Sequence, residues 1–254
     1  HIQGVWSIGA KSSVAHDSGT KDSGAFVPLK EIQGDSNLFH VIMKPGVDPG
    51  AELKEISWQF GPESDYRVML HVYKWTDSPM WVTLQDKYKQ RVHVPTMTTL
   101  RTENLTLEDS GRYQAIGDLT EGKAFIQMFH LIVFKPVLLP QILAKSFSIT
   151  PGWCSVTLES RATGASENLN MTWENKGLPK NLDQTGTLGP DSNSRTLTLS
   201  LPVSQHLSRP NASLTCVVSN SIDKKNATLH LGEFCCTELG FQLAKIKFAA
   251  EERK

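Results

Sequence analysis

Histidines, paired carboxylates and cysteines are the side chains that could carry chemistry in this chain of 254 residues. The eight histidines are scattered, and none has an acidic or cysteine neighbour at the spacing of a metal site. The carboxylate pairs Glu63/Asp65 and Glu108/Asp109 fall in turn-like segments, where such pairs are usually solvated rather than catalytic. The sequence contains no nucleophile elbow, phosphate loop or dinucleotide fingerprint. We therefore expect a protein that is not an enzyme and that uses no metal and no cofactor.

The overall charge narrows the choice of partner. Lys and Arg total 26, Asp and Glu total 26, and the formal net charge is zero, with no long basic run. Because nucleic-acid binders neutralise phosphates with clustered cations, this balance argues against nucleic acid as a partner. The chain has no starting Met, no signal-like N-terminal block and no apolar stretch of about 18 residues. It is expected to be a processed or trimmed chain.

Four Asn-x-Ser/Thr sequons lie beside strand-like segments, and none has Pro in the middle position. They begin at Asn104, Asn170, Asn211 and Asn226. The placement fits glycosylated surface positions of a cell-surface or secreted protein. The alternative is that some of them are unused triplets.

The elements that carry these residues are predicted to be strands. Between the two ends of the chain, apolar runs of four to ten residues, rich in Val, Ile, Phe, Tyr and Trp, alternate with Gly, Pro, Asp and Ser. This pattern predicts an all-β protein. Pro136 and Pro140 interrupt it and suit a linker. The predicted division is a disordered leader at 1–24, a first β domain at 25–135, a second at 136–236 and a tail at 237–254 with apolar residues at helical spacing.

The first domain carries an immunoglobulin signature. Trp58 lies in the run ISWQF, and Asp-Ser-Gly-Arg-Tyr follows at 109–113. This is the D-x-G-x-Y corner of immunoglobulin domains, in which the hydroxyl of Tyr113 bonds back to the preceding turn. Arg91 lies where V-type domains have an arginine that pairs with the corner aspartate, here Asp109. The signature predicts a β-sandwich closed at one end by this pair.

The intersheet disulfide of that fold is missing from the first domain. Ala115 stands two residues after Tyr113, where the second cysteine is normally found. The partner strand carries Phe39 and its neighbours and also lacks cysteine. Since both cysteines are absent together, we expect apolar packing in place of the disulfide.

The second domain repeats the pattern with a different cysteine arrangement. Trp173 is followed 43 residues later by Cys216, the expected second cysteine. Thirteen residues before Trp173, where the first cysteine is expected, stands Ser160. Cys154 lies six residues earlier still, about 20 Å along an extended strand. Without a shift of register it cannot replace the missing partner.

Together these motifs resemble the signalling lymphocytic activation molecule (SLAM) family over residues 27–236. The resemblance rests on ISW, LEDSGRY, the region of Cys154 and Cys216, and VSNSIDKKNATLHLGEFC. It implies two tandem immunoglobulin-like sandwiches, V-type without a disulfide and then C2-type. It also implies a disulfide from Cys154 to Cys235 or Cys236. Because Ser160 replaces its usual partner, Cys216 is then expected to be a buried thiol.

One sheet of the first domain is the candidate binding surface. With Trp58, Tyr113 and Ala115 facing inward, strand alternation turns five side chains outward: Glu55, Ser57, Gln59, Gln114 and Ile116. The segment 66–75 is apolar on both faces, so part of it should be exposed at the edge of this sheet. The resemblance implies that this face binds a SLAM-family ectodomain, either a second copy of the same protein or another member, with no small-molecule substrate.

Three functions remain open from the sequence. The first is an immune-cell adhesion or co-receptor ectodomain, on the cell surface or secreted, that forms at most a weak homodimer. The second is a soluble decoy of such receptors, either a secreted isoform or a viral homologue. The third is a structural immunoglobulin protein of a matrix or junction, which would bind only itself.

Overall fold

The computed structural model describes residues 21–22, 25–43, 50–62, 65–82, 86–162, 169–178, 184–188, 194–202 and 212–230. The chain forms two compact units, with the division between Lys135 and Pro136. The sequon at Asn211, the tail at 237–254 and both Cys235 and Cys236 lie outside the described residues. The disulfide implied for Cys154 therefore stays a prediction. Within the described ranges, no helix has the length and hydrophobicity needed to cross a membrane.

The first unit consists of two β-sheets. Its elements are β1 (Lys21–Asp22), β2 (Val27–Ile32), β3 (Asn37–His40), β4 (Leu53–Phe60), β5 (Arg67–Tyr73), β6 (Met80–Trp81), α1 (Asp86–Lys89), β7 (Val92–Thr96), β8 (Thr99–Thr102), a 3-10 turn (Leu107–Asp109), β9 (Gly111–Leu119) and β10 (Ala124–Phe134). The front sheet has the order β1-β10-β9-β4-β5-β6, with β2 also paired to β10, and the back sheet has the order β3-β8-β7. The strands β5 and β6 extend this sheet beyond β4, and two such additional strands are characteristic of a variable-type immunoglobulin domain.

The start of the first unit corrects one expectation. The whole leader at 1–24 was expected to be disordered, yet Lys21 and Asp22 pair in parallel with Phe125 and Ile126 of β10. Further along, β2 pairs in parallel with the same strand from Val27 to Ile32. An edge strand presents unpaired N–H and C=O groups, and pairing with it satisfies the backbone of even a polar segment.

The core of the first unit is a cluster of aromatic rings. Phe39, Trp58, Tyr113 and Phe129 are each at most 2% exposed. The ring centroids of Phe39 and Tyr113 are 4.5 Å apart, and those of Trp58 and Phe129 are 5.9 Å apart in a stacked arrangement. Ala115 is fully buried in the same cluster and pairs with Trp58 across β4 and β9. A small residue beside bulky rings fills the site of the absent disulfide with apolar packing, as expected.

The second unit is also a sandwich. Its strands are β11 (Gln141–Thr150), β12 (Trp153–Arg161), β13 (Asn170–Lys176), β14 (Gln184–Leu188), β15 (Ser194–Pro202), β16 (Ser213–Ser219) and β17 (Lys224–His230). One sheet has the order β11-β12-β15-β14, and the other has the order β13-β16-β17. This four-plus-three division is that of constant-type immunoglobulin domains. Leucines and valines from both sheets form its core, with Leu158, Leu199 and Val218 fully buried.

The core of the second unit brings Ser160 and Cys216 together. Both residues are fully buried, on β12 and β16 respectively, and the hydroxyl of Ser160 interacts with the thiol. Burial raises the pKa of Cys216, and the Ser160 hydroxyl opposes that rise. The single proton of the same hydroxyl is shared between Met171 Sδ at 2.9 Å and the carbonyl oxygen of Arg195 at 3.2 Å. Ser160 thus occupies the place opposite Cys216 that its spacing from Trp173 predicts.

Candidate recognition surface

A hydrogen-bonded corner holds the central strand of the front sheet in place. Arg91 Nη1 and Nη2 donate to the two carboxylate oxygens of Asp109 at 2.9 and 3.0 Å. The hydroxyl of Tyr113, near the start of β9, donates to the carbonyl of Asp109 at 2.8 Å. The same Arg91 Nη1 also donates to the carbonyls of Glu103 and Asn104. The corner thereby ties the back sheet, the 3-10 turn and β9 together.

The charge at this corner is stabilised by its surroundings. Asp109 is only 1% exposed. Burial opposes ionisation, but hydrogen bonds from Arg91 and from the N–H and hydroxyl of Thr106 outweigh it, so the pKa of Asp109 is held below its ordinary value. The guanidinium also lies over the ring of Tyr88, 5.5 Å from the centroid. A buried charge with this many partners is a structural element rather than a binding group.

The outward side of the front sheet is the surface that the corner supports. Paired residues on neighbouring strands share a face, so the register of β4, β5, β9 and β10 identifies its members. We call nine members of this set the front face: Glu55, Ser57, Gln59, His71, Tyr73, Gln114, Ile116, Ile126 and Met128. It contains all five side chains that the sequence turned outward. None of the nine is fully exposed, because each is flanked by side chains of the adjacent strands.

Ser57 differs from the expectation. Its side chain points outward, yet the residue is only 9% exposed and is classed with the buried residues. The reason is local: the amide of Gln59 donates to the Ser57 hydroxyl at 3.2 Å and extends across it. Gln114 in turn donates to the amide oxygen of Gln59 at 2.7 Å. The centre of the front face is therefore a chain of three polar residues linked by two hydrogen bonds, and Ser57 is largely covered.

The charged end of the front face lies around Glu55. Its carboxylate is hydrogen-bonded to His71 Nδ1. Burial, and then the nearby charge of Glu55, raise the pKa of Asp118, which pairs with Glu55 in the sheet. Burial and Glu55 also raise the pKa of Tyr73. The acidic groups of this part of the sheet are therefore concentrated at one end, around Glu55 and Asp118.

An aromatic strip borders the front face at the β5 edge. The rings of His71 and Tyr73 stack with centroids 5.8 Å apart, and those of Tyr73 and Trp75 stack with centroids 5.1 Å apart. Trp75 is 69% exposed, and Met80, opposite His71 on β6, is 49% exposed. We call Tyr73, Trp75 and Met80 the aromatic strip. Tyr73 and Trp75 belong to the segment 66–75, which the sequence showed to be apolar on both faces, and Met80 adds to them from β6.

Sequence reasoning did not single out the residues of the aromatic strip. The signal that could have identified them is the run His71, Tyr73 and Trp75, in which every second residue is aromatic. His71 and Tyr73 share one face of β5, and Trp75 follows in the turn after the strand. The other face of β5 is already filled by Leu70 and Val72, which are buried. Because one face of this strand packs in the core, its other apolar face must contact either solvent or a partner.

Three of the four sequons fall on described residues, and each asparagine is exposed. Asn104 lies in the turn after β8 with a φ of 50°, a left-handed conformation that asparagine tolerates well. Asn170 begins β13, and Asn226 lies within β17. None of the three is on the front face. Among the residues that the structure describes, no group of three or more His, Cys, Asp or Glu side chains could hold a metal ion.

Comparison with known proteins supports the fold. No protein-family model and no curated protein sequence matches the chain. Among solved structures, murine CEACAM1b matches with a TM-score of 0.53 at 16% identity, covering 80% of this chain and 94% of that one. A chain in the complex of a mouse coronavirus receptor-binding domain with its murine receptor matches with a TM-score of 0.55 at 16% identity, with the same coverage. The class is therefore the immunoglobulin fold. In particular, the chain has a variable-type sandwich followed by a constant-type sandwich.

Proposed function

We propose that this chain is an extracellular recognition ectodomain that binds the V-type domain of a SLAM-family protein, either a second copy or another member, through its front face. The observation that carries the proposal is the exposed aromatic strip beside an internally hydrogen-bonded polar centre, on the sheet that the corner of Arg91 and Asp109 holds in place. The role is recognition without a catalytic step.

The aromatic strip has the properties of an interface anchor. Exposed Trp and Tyr side chains are enriched among the residues that dominate protein–protein binding energy. Because Trp75 is already stacked on Tyr73, less side-chain freedom is lost when a partner covers it. The strip is therefore expected to supply most of the affinity, on the order of 2 kcal/mol or more for a central anchor.

The polar centre contributes fit rather than affinity. Gln59 and Gln114 are already hydrogen-bonded, so a partner gains little by bonding to them again. A large or charged residue placed there would still keep a facing sheet at a distance. Glu55 is the one acidic residue and His71 the one basic residue among the nine residues of the front face, so the face fits a largely uncharged protein surface rather than nucleic acid or an anionic membrane.

The test measures binding of the whole chain to a panel of immobilised SLAM-family V domains by surface plasmon resonance. We expect Trp75→Ala to weaken binding more than tenfold, and Gln114→Arg to abolish it by obstruction. The matched control is Leu38→Ser, because Leu38 is 49% exposed on β3 in the opposite sheet and should not affect binding.

Two results would contradict the proposal. The first is binding to none of the panel, including the chain itself. The second is a complex that Leu38→Ser weakens while Gln114→Arg leaves it intact, which would assign the interface to the back sheet.

A further inference from the structure

Two of the sequons converge on one face of the second unit. Met171, Val218, Cys216 and Leu229 are buried in its core, so the residues that alternate with them on β13, β16 and β17 point away from the core. Asn170 and Asn226 are both in this outward set, and both are exposed.

The strand register gives the distance between the two asparagines. Asn226 pairs with Val217, Val217 pairs with Thr172, and Asn170 lies two residues from Thr172 on β13. The two Cα atoms are separated by two strand spacings across the sheet and by two residues along the strand, which places them about 12 Å apart. Val217 lies between them on β16; it is 5% exposed and is not part of the core cluster, so a buried apolar residue separates the two sequons.

We infer that Asn170 and Asn226 both carry N-linked oligosaccharides, which cover the outward face of the β13-β16-β17 sheet and close it to protein partners. In the modification, the amide nitrogen of asparagine bonds to the anomeric carbon of a lipid-diphosphate-linked oligosaccharide. The bond from that carbon to the phosphate oxygen breaks, the lipid diphosphate leaves, and the amide loses one proton. The inference rests on the proposed extracellular location, since the modification occurs on secreted and cell-surface proteins.

The opposite sheet of the second unit provides the comparison. On the outward side of β12 and β15, Thr157 and Thr198 are joined through their hydroxyls at 3.2 Å. On the outward side of β16 and β17, Thr215 and Thr228 are joined in the same way at 2.9 Å. Thr157 and Thr215 are both half-buried in mid-strand, and only Thr215 is next to a described sequon. Thr215 therefore probes the face that the oligosaccharides are inferred to cover, and Thr157 is the matched position on the opposite sheet.

The experiment uses the whole chain secreted from a glycosylating eukaryotic cell. Glycopeptide mapping should find oligosaccharide on both asparagines, and Asn170→Gln and Asn226→Gln should each remove one. Thr215→Cys and Thr157→Cys are then labelled with a polyethylene-glycol maleimide, with the parent chain as background. Labelling of Thr215→Cys should be several-fold slower than in the same protein carrying both Gln substitutions, whereas labelling of Thr157→Cys should be equal in the two.

The outcomes separate this inference from the proposed location. If Asn104 carries oligosaccharide while Asn170 or Asn226 does not, or if both are occupied and Thr215→Cys is labelled equally fast in the two backgrounds, the inference is wrong and the location stands. If the chain is retained in the cell with all three asparagines bare, the location itself is wrong. Should the cysteine variants fail to fold, glycopeptide mapping of the parent chain still decides occupancy.

Discussion

At the scale of single residues, the ion pair of Arg91 and Asp109 differs in kind from the exposed ion pairs of the first unit. Asp109 is buried and bonded through both oxygens, whereas the pair of Lys123 and Glu121 is largely exposed. Asp109→Asn leaves the guanidinium without its partner charge, so we expect the free energy of unfolding to fall by roughly 3–5 kcal/mol. Urea denaturation measures the change. Glu121→Gln is the control and should cost less than about 1 kcal/mol.

The same carboxylate predicts how stability depends on pH. Its pKa is lower in the folded chain than in the unfolded one, so the ionised form favours folding. This contribution is complete above about pH 5, beyond the ordinary Asp pKa of about 3.9, and is lost as the pH falls through the lower folded value. The stability difference between the parent and Asp109→Asn should therefore be constant near neutrality and shrink below about pH 4. Denaturation curves across pH 3–7 test it, and a difference that grows on acidification would contradict it.

Ser160 and Cys216 give a second prediction at this scale. Because the two side chains are already in contact across the core, Ser160→Cys should form a disulfide and stabilise the chain by about 2–4 kcal/mol. Mass spectrometry of non-reduced peptides identifies the bond, and urea midpoints with and without reductant measure its effect. Ser160→Ala, which cannot form this bond, is the control: reductant should shift its urea midpoint only as much as it shifts that of the parent chain, and should shift that of Ser160→Cys by more. Finding Cys216 already linked to Cys154 in the parent chain would show that this pairing is wrong.

The residue scale also shows what the sequence could and could not predict. Alternation predicted the direction of the five side chains that the sequence turned outward, because direction depends only on strand geometry. It could not predict that Ser57 is buried, because that depends on the reach and rotamer of Gln59. The D-x-G-x-Y corner was predictable because its contacts are fixed by a short motif. The stacking of Tyr73 on Trp75 follows from side-chain packing that no spacing specifies.

At the scale of elements, β3 provides a clean comparison of core and surface. Neighbouring residues on this strand face opposite ways: Phe39 is fully buried among aromatic rings, and Leu38 is 49% exposed. Phe39→Ala should lower the free energy of unfolding by roughly 3–5 kcal/mol, since it leaves a cavity where immunoglobulin domains normally have a disulfide. Leu38→Ala should change it by less than about 0.5 kcal/mol. Similar costs for both, by chemical denaturation, would mean that β3 is out of register.

Strands that are apolar runs could be predicted from the sequence, whereas strands that form only by pairing with a distant segment could not. The runs that became β4, β5, β9 and β10 are recognisable from their composition. The parallel pairing of β1 with β10 leaves no such trace, because Lys21 and Asp22 are polar and their partners are about a hundred residues away. This pairing depends on β10 having an open edge, and the sequence alone does not show which strands lie at the edge of a sheet.

At the scale of the whole molecule, the front face predicts weak binding that multivalency makes effective. Its polar centre is already hydrogen-bonded internally and its strongly exposed apolar side chains are confined to one strip, so a single contact should have a dissociation constant on the order of micromolar. Presenting two or more copies on one particle should raise the apparent affinity about 10²–10⁴-fold. Surface plasmon resonance of the monomer and of a two-copy fusion measures both values. A nanomolar monomer with no gain on dimerisation would contradict this prediction.

The strand β4 places the fold and the contact surface in alternate positions of a single segment. Ile56 and Trp58 belong to the core, while Ser57 and Gln59 face outward. Natural selection can therefore act on the two sets almost independently, since a replacement at Gln59 changes what a partner meets without altering the volume around Trp58. A lineage that carries this domain can exchange one partner for another, or follow a partner that is itself diverging, while its core stays recognisable. Pairs of such proteins are expected to lose cross-recognition long before they lose their common architecture.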